Sequence, residues 1–115
     1  MQPAQLDLDR QPAASGDLLV IRLNGKLSLE TVNGFVSTMR QETAPRLILD
    51  MSGVSFLDSA GVGALVSIFV SRRNHSKTLA LAALTQQGNA VMQVSGLLKL
   101  LPVYPSVEEA VSKRA

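Results

Sequence analysis

The 115-residue sequence contains no cysteine and no tryptophan, and it has a single histidine, His75. The missing thiols exclude disulfides, thiolate metal sites and cysteine nucleophiles. One histidine cannot build a multi-histidine metal site, and it supplies at most one imidazole base for hydrolysis. With only 3% aromatic residues, the chain cannot assemble the stacking platform of a single-strand nucleic-acid or sugar binder. Charge is sparse too, at 17% against roughly 25% in an average domain. The net charge of +2 is spread thinly, with Arg72 and Arg73 as the tight interior pair, so no basic stripe points to nucleic acid. The N-terminal residues carry acid and no apolar stretch, unlike a signal peptide. Between Thr78 and Leu98 no charge occurs, yet Thr85, Gln86, Gln87, Asn89 and Gln93 make that segment too polar to span a bilayer. A cytoplasmic protein is expected. Cofactors are expected to be absent.

Hydrophobic residues make up 46% of the chain, enough to fill the core of one domain spanning residues 1–115, with 1–4 and 114–115 as loose ends. Leu6 and Leu8 alternate with Asp7 and Asp9 as in a half-exposed strand. Pro12, Ser15 and Gly16 supply a hairpin turn into a second strand over residues 17–23, which Asn24-Gly25 should close. Ser28 is placed to cap a helix over residues 29–41, although Gly34 inside it costs about 1 kcal/mol. Residues 46–51 read as a buried strand ended by a Ser52-Gly53 turn, and a helix follows from Ala60 to about Arg73. A buried strand over 79–84, a helix over 87–94 stopped by Gly96, and an edge strand over 100–104 come next. Ser106 and Glu109 have the spacing of a capping box for a last helix. The order ββαβαβαβα predicts an α/β fold with a mixed sheet covered by helices.

Ser59 is the residue of most chemical interest. It stands where an apolar strand meets a helix rich in small residues, Ala60, Gly61, Gly63 and Ala64. One reading makes it the N-cap, satisfying an orphan backbone amide for about 1 kcal/mol. The other makes it a phosphoacceptor, whose phosphate the positive end of the helix tolerates. A nucleophilic elbow is absent, because Gly53-Val-Ser55-Phe-Leu57 lacks its second glycine. Asp50 and Asp58 are isolated carboxylates suited to turn and cap bonds rather than to magnesium, and Gly61-Val-Gly63 is not a phosphate loop. No catalytic or metal-ligating set is expected, and the chain is read as a non-enzyme.

The stretch Leu49-Asp-Met-Ser-Gly-Val-Ser-Phe-Leu-Asp-Ser-Ala-Gly-Val-Gly-Ala-Leu65 resembles the STAS domain family, in particular the bacterial anti-sigma factor antagonists of the SpoIIAA and RsbV type. The segment from Val94 to Ala110 is similar to that family's C-terminal stretch, and Gly25-Lys-Leu-Ser28 resembles its Gly-x-Leu-Asp. Ser28 stands where the family often has Asp, and Ala60 where many members have Ser or Thr. Ser59 is thereby the only hydroxyl of its turn. The resemblance implies a single STAS domain, with a four- to five-stranded mixed sheet and about four helices packed mainly on one side.

It also implies partner switching. The dephosphorylated protein binds a histidine-kinase-like serine kinase that doubles as an anti-sigma factor, and phosphorylation of Ser59 releases it. A serine phosphatase reverses the modification. Gly25, Ser28, Asp58, Ser59, Ala60, Gly61 and Val62 would make the docking face of a protein expected to be monomeric, without direct contact to nucleic acid or insertion into membrane. Two other roles on the same fold stay open. One is a subunit binding the ATPase of a lipid-transport ABC system, and the other an accessory protein of a two-component or chemotaxis-like pathway.

Overall fold

A computed structural model describes residues 5–13 and 16–113 of the chain. The expected loose ends, and Ser15 of the expected hairpin turn, lie outside the described residues. Ten elements follow one another. Strands are β1 (Leu6–Pro12), β2 (Leu18–Leu27), β3 (Arg46–Leu57), β4 (Thr78–Ala82) and β5 (Val103–Tyr104); α-helices are α1 (Val32–Met39), α2 (Ser59–Asn74), α3 (Gln86–Val94) and α4 (Val107–Ser112), with a 3₁₀ turn at Leu97–Lys99. The five strands form one sheet in the order β1-β2-β3-β4-β5. β1 runs antiparallel to β2, and every later pairing is parallel. The mixed α/β architecture expected from the element order is therefore present.

The strands alternate between two cores. Leu19, Ile21 and Leu23 of β2 and Leu47, Leu49 and Met51 of β3 face the larger core, which takes Phe35 and Met39 from α1, Leu65 and Ile68 from α2, and Met92 from α3. The intervening Leu18, Val20 and Ile48 face a smaller core closed by Ala110 of α4. Three helices thus cover one face and the last short helix covers part of the other. Burial on both faces explains why β3 begins as a continuous apolar run. Each fully buried leucine contributes about 2 kcal/mol relative to exposure.

Two glycine positions correct the sequence reading. Asn24-Gly25 does not close β2 and Ser52-Gly53 does not turn β3; both strands run on, paired in parallel, to Leu27 and Leu57. The register shifts between Arg22 and Asn24 and again between Gly25 and Lys26. Gly25 has φ of 123°, and a Cβ there would lie 2.1 Å from the Gln5 carbonyl oxygen. A Cβ at Gly53 would lie 2.6 Å from the Leu23 carbonyl oxygen. The glycines serve an irregular ladder where backbones approach closely, and a bulge bends a strand without ending it.

Helix α1 begins later than expected, at Val32. Ser28 does not cap it: its own amide donates to the Thr31 hydroxyl at 3.0 Å, and its carbonyl accepts from Thr31 and Val32. Residues 28–31 form a separate turn, and Leu29 is left exposed ahead of the helix. β4 stops at Ala82, because Ala83 takes φ of 58°. β5 is shorter than expected, since the Leu97–Lys99 turn uses up the approach to it. Ser106 does cap α4, accepting from the Glu109 amide at 3.2 Å, and Gly96 has the left-handed φ of 76° that ends α3.

The Arg72–Arg73 pair splits by environment. Arg73 is exposed, whereas Arg72 is only 5% exposed. Its guanidinium donates to the carbonyls of Thr78 (2.8 Å), Glu42 (3.4 Å) and Ala44. One side chain therefore ties the end of α2 to the segment before β3 and the start of β4. Burial pushes its pKa down, and the nearby Glu42 carboxylate partly offsets that. Arg72→Ala should cost about 3 kcal/mol, because it strands buried carbonyls, and lower the thermal midpoint by roughly 10–20 °C. A calorimetric midpoint unchanged from wild type would refute this role.

Candidate functional site

The Ser59 region is built where β2 and β3 end together and the chain turns into α2. Asp58, not Ser59, is the N-cap: it has extended backbone geometry, and its Oδ1 accepts from the Gly61 amide at 2.9 Å. The reason is register. The cap oxygen must reach the third helical amide, and here the helix starts one residue earlier than the small-residue run suggests. The second carboxylate oxygen, Oδ2, accepts from the Leu29 amide at 3.1 Å. One side chain thus fastens the start of α2 to the turn after β2. The Asp58 amide adds a 3.4 Å bond to the Leu27 carbonyl.

Gly61 makes the close packing possible. It is buried, and a Cβ there would sit 2.3 Å from the Leu27 carbonyl oxygen and 2.8 Å from Leu57 Cδ1. Gly63, two positions on, has nothing within 4 Å of such a Cβ and is exposed. Val62, at 3% exposure, faces the larger core. Ser59 occupies the first position of the helix, exposed, and among the described residues no side-chain hydrogen bond engages its hydroxyl. Neither an acidic nor, among these first residues, a basic side chain crowds it within the helix's opening turn. Ala60 is half-buried beside it.

The residues expected to form a docking face are therefore not equivalent. Asp58, Ser59 and Ala60 reach the surface, whereas Gly61, Val62 and Ser28 (8% exposed) lie beneath it and set its shape. Gly25 sits within the sheet, paired with Leu6 of β1 and Val54 of β3, and its closest approach is to the backbone of Gln5 and Leu6.

Gln87 was not legible as part of this region. Its Nε2 donates to the Leu57 carbonyl at 2.8 Å, and its Oε1 accepts from the Leu57 amide at 2.9 Å. β4 pairs with β3 only as far as Asp50, so the Gln87 amide takes the place of a strand at the end of β3. Thr85 caps α3 by accepting from the Gly88 amide at 3.0 Å, a signal that the Thr-x-x-Gly spacing does carry. Next to Ser59, α2 and α3 diverge and leave an open, almost wholly apolar groove of about 500 Å³.

Asp50 and Asp58 do not converge: the Asp50 carboxylate accepts from the Ser52 amide at 3.0 Å instead. Among the described residues no group of three potential metal-ligating side chains occurs, and no helix is long and apolar enough to cross a membrane. The site can offer a hydroxyl, a held carboxylate and an apolar surface.

Comparison with known proteins bears on what such a surface is for. A family model described as the STAS domain matches residues 9–110. An anti-sigma-B factor antagonist of Staphylococcus epidermidis is 23% identical over 106 residues, spanning 90% of this chain and 98% of its own. The crystal structure of an anti-sigma factor antagonist from Mycobacterium paratuberculosis has a TM-score of 0.82 at 19% identity, over 94% of this chain and 92% of that one. The anti-sigma factor antagonist SpoIIAA in its unphosphorylated form has a TM-score of 0.73 at 23% identity, over 91% and 93% of the two chains.

Two substitutions separate the structural duties in this region. Gly61→Ala should destabilise the protein by about 2 kcal/mol, since overpacking against backbone finds no relief, whereas Gly63→Ala should leave it equal or more stable. Asp58→Ala should cost about 1–2 kcal/mol through loss of the cap. Chemical denaturation midpoints check all three, and equal effects of the two glycine substitutions would contradict the packing described.

Proposed function

Because the chain belongs to the STAS domain family, we propose that it is an anti-sigma factor antagonist whose partner binding is switched by phosphorylation of Ser59. The observation that carries this reading is the unemployed, exposed hydroxyl of Ser59 at the first position of α2, next to a cap residue that already does the structural work. Modification there leaves the cap bonds of Asp58 in place. The names of the relatives support the same role, as does a structural neighbour described in an unphosphorylated form.

In the dephosphorylated state the protein binds a histidine-kinase-like serine kinase that also serves as the anti-sigma factor, and so frees the sigma factor. The kinase holds ATP. The Ser59 oxygen attacks the γ-phosphorus, the bond to the β-phosphate oxygen breaks, ADP leaves, and a base of the kinase takes the hydroxyl proton. The new group carries about −1.5 to −2 charges. The amino end of α2 tolerates that charge within the folded domain, whereas an apolar partner surface pressed against it does not. The complex separates, and a serine phosphatase restores the starting state. The protein works in the cytoplasm as a monomer, as substrate and ligand of its partners and not as an enzyme.

Affinity capture from the source cell with Ser59→Ala and Ser59→Asp baits tests this. The alanine bait should hold the serine kinase and the aspartate bait should lose it, with the thermal midpoints of both within a few degrees of wild type. An ABC ATPase held equally by both baits would overturn the switch in favour of a constitutive subunit.

A further inference from the structure

The dipeptide Asn-Gly occurs twice, at Asn24-Gly25 and at Asn33-Gly34. It is chemically labile, because glycine shields its own nitrogen with no side chain and lets the backbone turn back toward the asparagine amide. The fold treats the two copies differently. Asn33 and Gly34 are the second and third residues of α1, both exposed, and a Cβ on Gly34 would meet nothing within 4 Å. The third amide of a helix needs a partner from outside the helix. In α2, α3 and α4 the cap side chain supplies it, Asp58 to Gly61, Thr85 to Gly88 and Ser106 to Glu109. In α1 no side chain does. The Thr31 hydroxyl is turned away, accepting from the Ser28 amide and donating to the Lys26 carbonyl at 2.8 Å. Backbone bonds at this end run from Val32 to Ser28 and from Phe35 to Thr31, so the Gly34 amide has no hydrogen-bond partner among the described residues. Asn24 is held instead. It is half-buried, its Oδ1 accepts from Arg22 Nε at 3.2 Å, and Gly25 is paired with Leu6 on one side and Val54 on the other.

We propose that Asn33 is a site of spontaneous deamidation in the folded protein, and that Asn24, in the same dipeptide, is protected. The Gly34 nitrogen attacks Asn33 Cγ and the Cγ–Nδ2 bond breaks. Nδ2 leaves as ammonia, carrying the proton that the Gly34 nitrogen gives up. Water then opens the resulting cyclic imide at either carbonyl carbon, giving aspartate or isoaspartate. Ring closure requires the nitrogen to swing out of helical geometry toward the side chain. An end turn with an unbonded amide opens for this far more readily than a strand paired on both sides. Either product adds one negative charge, so the net charge of +2 becomes +1. The new carboxylate stands on the wall that Asn33 shares with Ala60 and Ala64 between α1 and α2. Aspartate gives the first turn of α1 the acidic residue it lacks and suits the helix dipole. Isoaspartate inserts a backbone carbon and breaks the turn just ahead of the buried Phe35. This chemistry is independent of any role of Ser59.

Trypsin separates the two dipeptides into peptides 23–26 and 27–40, so peptide mass spectrometry of the whole protein reads each one directly. One sample is warmed at neutral pH in its folded state and one at the same pH in unfolding urea, each compared with unaged protein. In the folded sample peptide 27–40 should gain the mass of OH in place of NH2 and become a substrate for an isoaspartyl methyltransferase, while 23–26 stays unchanged. In urea both should change. Gly34→Ala, which adds a methyl group into open space, should suppress the change at Asn33 without lowering the thermal midpoint. Folded-state modification of 23–26 as fast as that of 27–40 would overturn the proposal. So would two unchanged peptides in the folded sample when both change in urea, or an undiminished rate in Gly34→Ala.

Discussion

The Asp58 carboxylate holds together the junction of β2, β3 and α2 at which Ser59 stands. One oxygen ends the orphan status of the Gly61 amide and so starts α2; the other holds the Leu29 amide and so places the turn after β2. Charged acceptors make hydrogen bonds roughly twice as strong as neutral ones. The two bonds have to be made together, because the helix can approach the strand ends only where Gly61 lets the Leu27 carbonyl come close. The hydroxyl, the apolar turn and the groove are laid out by this one junction.

The same division of labour runs through the rest of the fold. Backbone groups at the ends of strands and helices are satisfied by single long side chains. Arg72 serves three carbonyls at one end of the larger core, and Gln87 pairs with both polar groups of Leu57 at the other. Arg46 does likewise for α4, with its Nη2 2.8 Å from the Lys113 carbonyl and 3.2 Å from that of Val111. Buried polar groups left unpaired would cost about 1–3 kcal/mol each, so these few residues define where the elements stop. They also leave Ser59 without structural duty, and a residue with no such duty can carry a modification without unfolding its surroundings.

What was legible in the chain was the periodic part. The apolar spacing of Val32, Phe35, Val36 and Met39 marks the buried face of α1, and the run at 46–51 marks a strand buried on both sides. Ser106 and Gly96 announced helix ends through local chemistry alone, and both act as expected. Glycine misled the reading in β2 and β3. A turn and a bulge both call for glycine, and only the neighbouring strand distinguishes them. Likewise a serine or an aspartate can each cap a helix, so the Asp58-Ser59 pair named the cap only to within one residue.

The sequence by itself determined the alternation of strands and helices, the two-sided burial of the central strands, and the presence of a lone hydroxyl at the mouth of a small-residue helix. Local propensity and apolar period carry that information, because they depend on neighbours a few residues apart. The tertiary structure alone decided that Arg72 is buried, that Gln87 completes the end of β3, and that the Leu29 amide is held by Asp58, 29 residues further along the chain. Those facts depend on which carbonyls are left over and which surfaces stay uncovered once the elements have packed, and no local pattern encodes them.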